Sequence, residues 1–150
     1  MPVMDKHEHR HLIDRLLHET GATTALCAGS GLDHPACHAI SLQSLATLPA
    51  DERHELAIVA CDLEELEAMS RDGRLAALRD LHAKRLVIIP VGSARARRSD
   101  TEALLRAHGF RPLRAGHGIW YHDLYDYKET PDWLNPRFWA NPELWDRYRW

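Results

Sequence analysis

LAIVACDLEEL, residues 56–66, reads as a buried strand feeding a helix. Its first six residues are continuously apolar, as a strand covered on both faces of a parallel sheet should be. Asp62 and Glu65 then stand three positions apart, the spacing of a capping pair, and open a helix expected to reach Met69. The same grammar recurs on either side. Upstream, TTALCA at 23–28 is a β-branched and apolar run that ends in the tight turn Gly29-Ser30-Gly31. Downstream, RLVIIPV at 85–91 is the next buried strand, with Pro90 near its end.

Helices fill the intervals. Residues 5–20 place Leu12, Ile13, Leu16 and Leu17 on one face, opposite Lys6, Arg10, Asp14 and Arg15, with Asp5 and Glu8 as a capping pair and Gly21 as the stop. After Ser70-Arg71-Asp72-Gly73, a second helical piece carries Leu75, Leu78 and Leu81. Ser99-Asp100-Thr101-Glu102 predicts a capping box opening a helix to Ala107, ended by Gly109. Residues 37–42 fit a strand, but Leu42, Leu45 and Leu48 equally form one side of a helical turn. Residues 110–114 and 118–127 read as two strands joined at Ala115-Gly116-His117-Gly118, the spacing of an antiparallel hairpin.

Strand and helix in alternation, closed by a hairpin, predict a three-layer α/β domain with a mostly parallel sheet. The 150 residues suit one core, with no domain boundary: an α/β body at 1–129 and a tail at 130–150. The 45% apolar and 27% charged fractions are those of a globular protein, and a net charge of −3 with mixed signs predicts no pull toward nucleic acid or membrane. No apolar run approaches the ~18 residues of a membrane span, and residues 1–10 are too polar for a secretory signal. Three cysteines, Cys27, Cys37 and Cys61, are expected as reduced thiols of a cytoplasmic protein.

Two resemblances build on these residues. LCAGSG at 26–31, LAIVACDLEEL, AKRLVIIPV at 83–91 and LLRAHGF at 104–110 follow the order found in class I S-adenosylmethionine-dependent methyltransferases. That resemblance implies a methyltransferase-like Rossmann sheet over about residues 23–127. The tail YDYKETPDWLNPRFWANPE at 125–143 resembles the hallmark of a family of short, uncharacterised bacterial proteins with a methyltransferase-like fold. Two departures stand out. Between Gly31 and Cys37 there is no room for the helix that normally follows the glycine loop, since a parallel crossover usually needs a dozen or more residues. Where the fold wants a ribose-binding carboxylate, the chain offers Ser41, Leu42 and Gln43. The first half is therefore read as reduced.

No motif amounts to a catalytic signature, so the catalytic residues are unknown. The candidate cofactor site is Gly29, Ser30, Gly31 and Asp62, each of which also has a conformational role as turn or cap. S-adenosylmethionine is the cofactor the resemblance implies, and the missing helix and carboxylate weigh against its binding. No metal site is expected. Cys27, His34, Cys37 and His38 lack zinc-knuckle spacing, and His7, His9 and His11 do not share one helical face. Arg95, Arg97 and Arg98, near Lys84 and Arg85, read as a solvated cluster paired with Asp100 and Glu102, or as a phosphate contact. The aromatic tail, with Trp133, Phe138, Trp139, Trp145, Tyr148 and Trp150, is expected to dock on the core. It alternatively binds a protein partner or a second copy. Two functions remain open: a non-catalytic module working through protein contacts, and a small methyltransferase or nucleotide-binding enzyme with a reduced pocket.

Overall fold

Continuous burial of residues 56–61 has its cause in a sheet packed on both sides. The structure, a computed structural model, describes residues 6–29, 31–113 and 118–124. In chain order these form α1 (Lys6–Thr20), β1 (Ala25–Ala28), β2 (Cys37–Ile40), a 3-10 turn (Gln43–Thr47), β3 (His54–Cys61) and α2 (Leu63–Arg71). There follow α3 (Arg74–Ala77), a π turn (Leu78–His82), β4 (Ala83–Pro90), α4 (Ser93–Ala96), α5 (Arg98–Ala107), β5 (Arg111–Pro112) and β6 (Trp120–Asp123). The sheet order is β2-β1-β3-β4-β6-β5. β2, β1, β3 and β4 are mutually parallel. β6 runs antiparallel to both β4 and β5. The expected turn at 115–117 and the whole tail from 125 lie outside the described residues.

Side chains alternate across the pleat, so each strand serves two cores. Leu26, Ala28, Ala57, Val59, Leu86 and Ile88 face α2, α3 and α5, where Leu66, Met69, Leu75 and Leu105 meet them. Ala25, Cys27, Leu56, Ile58, Ala60, Val87 and Ile89 face the opposite way and pack with Ile13 and Leu16 of α1 and with Leu32. The amphipathic stripe of α1 thus covers one face while three later helices cover the other.

Both readings of residues 37–48 find a place. The strand ends at Ile40, and Leu42 introduces the 3-10 turn in which Leu45 is buried. Two local expectations are corrected. The Ser99–Glu102 capping box does not form, because α4 and α5 are separated by Arg97 alone and the chain is already helical at Arg98. Thr101 instead turns its hydroxyl back, donating to the carbonyls of Ala94 (2.7 Å) and Arg97 (3.1 Å). Leu81 does not join Leu75 and Leu78 in the core: it is 46% exposed. The wider π turn shifts the inward position by one residue, so His82 is buried and donates through Nδ1 to the carbonyl of Glu52 at 2.8 Å. The Asp5–Glu8 cap lies outside the described residues. Among the described residues, no helix is long and apolar enough to cross a membrane.

Candidate functional site

β1 and β3 are neighbours in the sheet, yet the chain leaves them in opposite directions, from β1 outward to β2 and from β3 to β4. In open α/β sheets, ligands bind beyond the carboxyl ends of the strands at such a divergence. Gly29, Gly31 and Asp62 all lie there; Ser30 is outside the described residues. Gly29 continues β1 beside Ala60, with φ +106°. A Cβ on Gly29 would stand 3.0 Å from the carbonyl carbon of Ala60 and closer still to its oxygen. Two backbones approaching this closely admit only glycine, so conformation alone demands Gly29.

Asp62 is the N-cap of α2, in extended conformation at φ −85° and ψ 178°. Its carboxylate accepts from the Glu65 amide at 2.8 Å, and the Glu65 carboxylate accepts from the Asp62 amide at 2.9 Å. The capping pair anticipated from the sequence is therefore real, and it engages Asp62. Ser93, 30 residues away in sequence, completes the helix terminus: its Oγ accepts from the Leu63 amide at 2.9 Å and donates to Glu64 Oε2 at 2.7 Å. The bond from Ser93 and one from its own backbone amide hold the Glu64 carboxyl below its ordinary range. Donors that would greet an anion at this terminus are thus occupied by the chain's own oxygens.

Sequence reading missed His9. Its imidazole is only 4% exposed and lies against the glycine turn, with Nδ1 2.7 Å from the Gly31 carbonyl. A carbonyl oxygen only accepts, so Nδ1 carries the proton and Nε2 presents a lone pair in the neutral ring. Among the described residues Nε2 is buried without a hydrogen-bond partner. Further along the turn, Arg10 Nε donates to the Asp33 carbonyl at 3.3 Å. His34 accepts from the Ala36 amide through Nδ1 at 3.0 Å and therefore donates through Nε2 to Asp14, 2.6 Å away. The first half of α1 lies along the β1–β2 connection and holds it at three points. The one weak signal for this was the density of histidine and charge at 7–14.

The cysteine expectation is overturned at this connection: Cys27 and Cys37 form a disulfide, with Cα atoms 5.6 Å apart. Parallel pairing sets Ala25 opposite Cys37 and Cys27 opposite Ala39, which leaves the two sulfurs on one face, a diagonal step apart. As the bridge takes both sulfurs and hydrogen bonds take both His34 nitrogens, none of the three is available to a metal. Cys61 is unbridged and buried in the opposite core; burial, and then the Glu65 and Asp62 carboxylates, push its thiol up to about 12. At the end of β2, where the resemblance calls for a ribose-binding carboxylate, the Ser41 hydroxyl accepts from the Ser44 amide at 3.1 Å. Two members of the basic cluster pair with the expected carboxylates: Arg97 with Asp100 at 2.6 Å and Arg98 with Glu102 at 3.3 Å. Lys84 pairs with Glu55, and Arg85 with Asp123.

A family model described as "Family of unknown function (DUF6231)" matches residues 7–150. No curated protein and no solved structure matches the chain.

Proposed function

Because the chain belongs to the DUF6231 family, of unknown function, its role has to be argued from the site, and we propose a non-catalytic methyltransferase-like module that acts through protein contacts. The methyltransferase-like reading is supported by the strand order, with reversed β6 inserted between β4 and β5. One observation carries the rest: the groups that would hold a nucleotide are engaged within the chain. The Gly31 carbonyl accepts from His9, the α2 amides meet Asp62 and Ser93, and β1 passes to β2 through residues 29–36 without a helix in the described part. A helix N-terminus and a loop satisfied internally leave little with which to bind a cofactor. In this reading the aromatic residues of the tail, which lies outside the described residues, supply the contact surface for a protein partner or a second copy.

A small S-adenosylmethionine-dependent or nucleotide-binding enzyme is the second reading, favoured by His9, whose buried Nε2 lacks a partner beside Gly31. A buried polar atom left unsatisfied costs about 1–3 kcal/mol, which a ligand donor would relieve. Melting curves with S-adenosylmethionine, its demethylated product and common nucleotides separate the two. A ligand at 100 times its dissociation constant stabilises by about 2.7 kcal/mol. No shift at millimolar ligand is the expected result. A shift of several degrees, lost in His9→Ala, would establish the enzyme reading.

A further inference from the structure

The disulfide ties β1 to β2 across the connection that carries Gly29 and Gly31. We propose that Cys27 and Cys37 form a thiol–disulfide exchange site, opened by a low-molecular-weight thiol at Cys37, which releases the β1–β2 connection and edge strand β2.

The two sulfurs are unequal. Cys27 is 1% exposed in the core against α1, whereas Cys37 is partly exposed on β2, the last strand at that edge of the sheet. An external thiolate therefore reaches the Cys37 sulfur. Its attack forms a mixed disulfide on Cys37, breaks the Cys27–Cys37 bond, and expels Cys27 as a thiolate that takes a proton. A second thiol attacks the external sulfur of the mixed disulfide and expels Cys37. The balance is two external thiols oxidised to their disulfide and one protein disulfide reduced to two thiols; the external disulfide closes the bridge by the reverse steps. Cys61 stays out of this chemistry, because it lies in the core on the other side of the sheet with its thiol pushed up to about 12.

Opening has a local consequence. The bridge joins residues ten apart and closes the connection that carries the glycine turn. Once it is cut, β2 is held by a four-residue ladder to β1, while the connection keeps its bonds from His9, Arg10 and Asp14 of α1. β3 and β4, paired along their full length inside the sheet, lose nothing. A short edge strand with one neighbour belongs to the low-stability end of a fold, where opening is local.

The test uses the full chain in buffers of reduced and oxidised glutathione, quenched with acid, alkylated and weighed intact. The expected result is a reversible two-electron transition at unchanged far-ultraviolet dichroism, with trapped glutathione mapping to Cys37 and none on Cys61. Hydrogen exchange in peptides covering 31–40 should quicken on the order of tenfold on reduction, while peptides covering 56–61 and 83–90 hold their rates. Cys37→Ser should exchange like the reduced protein, and Cys61→Ser like the parent in both states. The proposal is overturned if the bridge fails to form in oxidised glutathione, if it opens only as the domain unfolds, if glutathione is trapped on Cys27, or if exchange at 31–40 ignores the redox state.

Discussion

Replacing Gly29 with alanine separates a turn glycine from a cofactor glycine. Its φ of +106° lies where an L side chain is strained, at about 1–2 kcal/mol. The new methyl would also enter the Ala60 carbonyl, a backbone group inside the sheet that has no rotamer by which to yield. Overpacking of that kind adds about 1–3 kcal/mol. Gly21 is the control, with φ +72° and nothing within 4 Å of where a methyl would stand, so Gly21→Ala carries only the first cost. Gly29→Ala should therefore be the more destabilising of the two by about 2 kcal/mol. At about 2–4 °C per kcal/mol for a domain near this size, the gap in melting temperature is roughly 4–8 °C. Urea unfolding followed by far-ultraviolet dichroism, with the slope checked for constancy, measures both variants. Equal losses would refute the close backbone approach. Wild-type stability in Gly29→Ala, combined with loss of a ligand-induced shift, would instead make Gly29 a cofactor residue.

Asp62→Ala should lower stability by about 0.5–2 kcal/mol in the same assay, since it uncaps α2, and Asp62→Asn should recover most of the loss. A ligand effect without a stability effect would contradict the capping role. Burial holds the imidazoles of His108 and His122 below their ordinary 6.5, so protons bind the unfolded chain first. Their contribution is complete above pH 6.5 and declines as the pH falls through the lower folded values. The urea midpoint should drop between pH 7 and 5, less steeply in His108→Gln; a flat profile in the parent counts against it. Native Cys61 should resist a thiol reagent at pH 8 and react at once in denaturant; fast native labelling would show it is not buried as described. Proposed docking of the tail requires Trp133→Ala or Trp139→Ala to cost about 3–5 kcal/mol, and parental melting curves for both would dismiss it.

Local pattern made some elements readable and misled at others. The α1 stripe and the Asp62–Glu65 box depend on residues three or four apart, and both took the form their spacing implied. Ser99–Glu102 has the same spacing as Asp62–Glu65 but sits within a chain already turned helical by α4, so its side chains had no extended N-cap to serve. Leu81 fits a 3.6-residue period that the π turn breaks. Candidate-site residues were legible where glycine or a cap marks the end of a strand, as at Gly29, Gly31 and Asp62. His9 and Ser93 were not, because their partners lie 22 and 30 residues away and no local period links them.

Sequence alone determined the alternation of α1, β1, β3, α2, β4 and α5 and the short β1–β2 connection, because burial on both faces and capping are written in consecutive residues; it left 37–48 open between strand and helical turn and gave no sign of α4. It also singled out Gly29, Gly31 and Asp62 at the ends of β1 and β3. Only the tertiary structure decided what meets them there. Parallel pairing of β2 with β1 brought Cys27 and Cys37 within bonding reach. The packing of α1 brought His9 onto the Gly31 carbonyl, and the return from β4 set Ser93 against the start of α2. Each of these contacts depends on strand register or helix placement, which side chains distant in the chain settle together through the shared core.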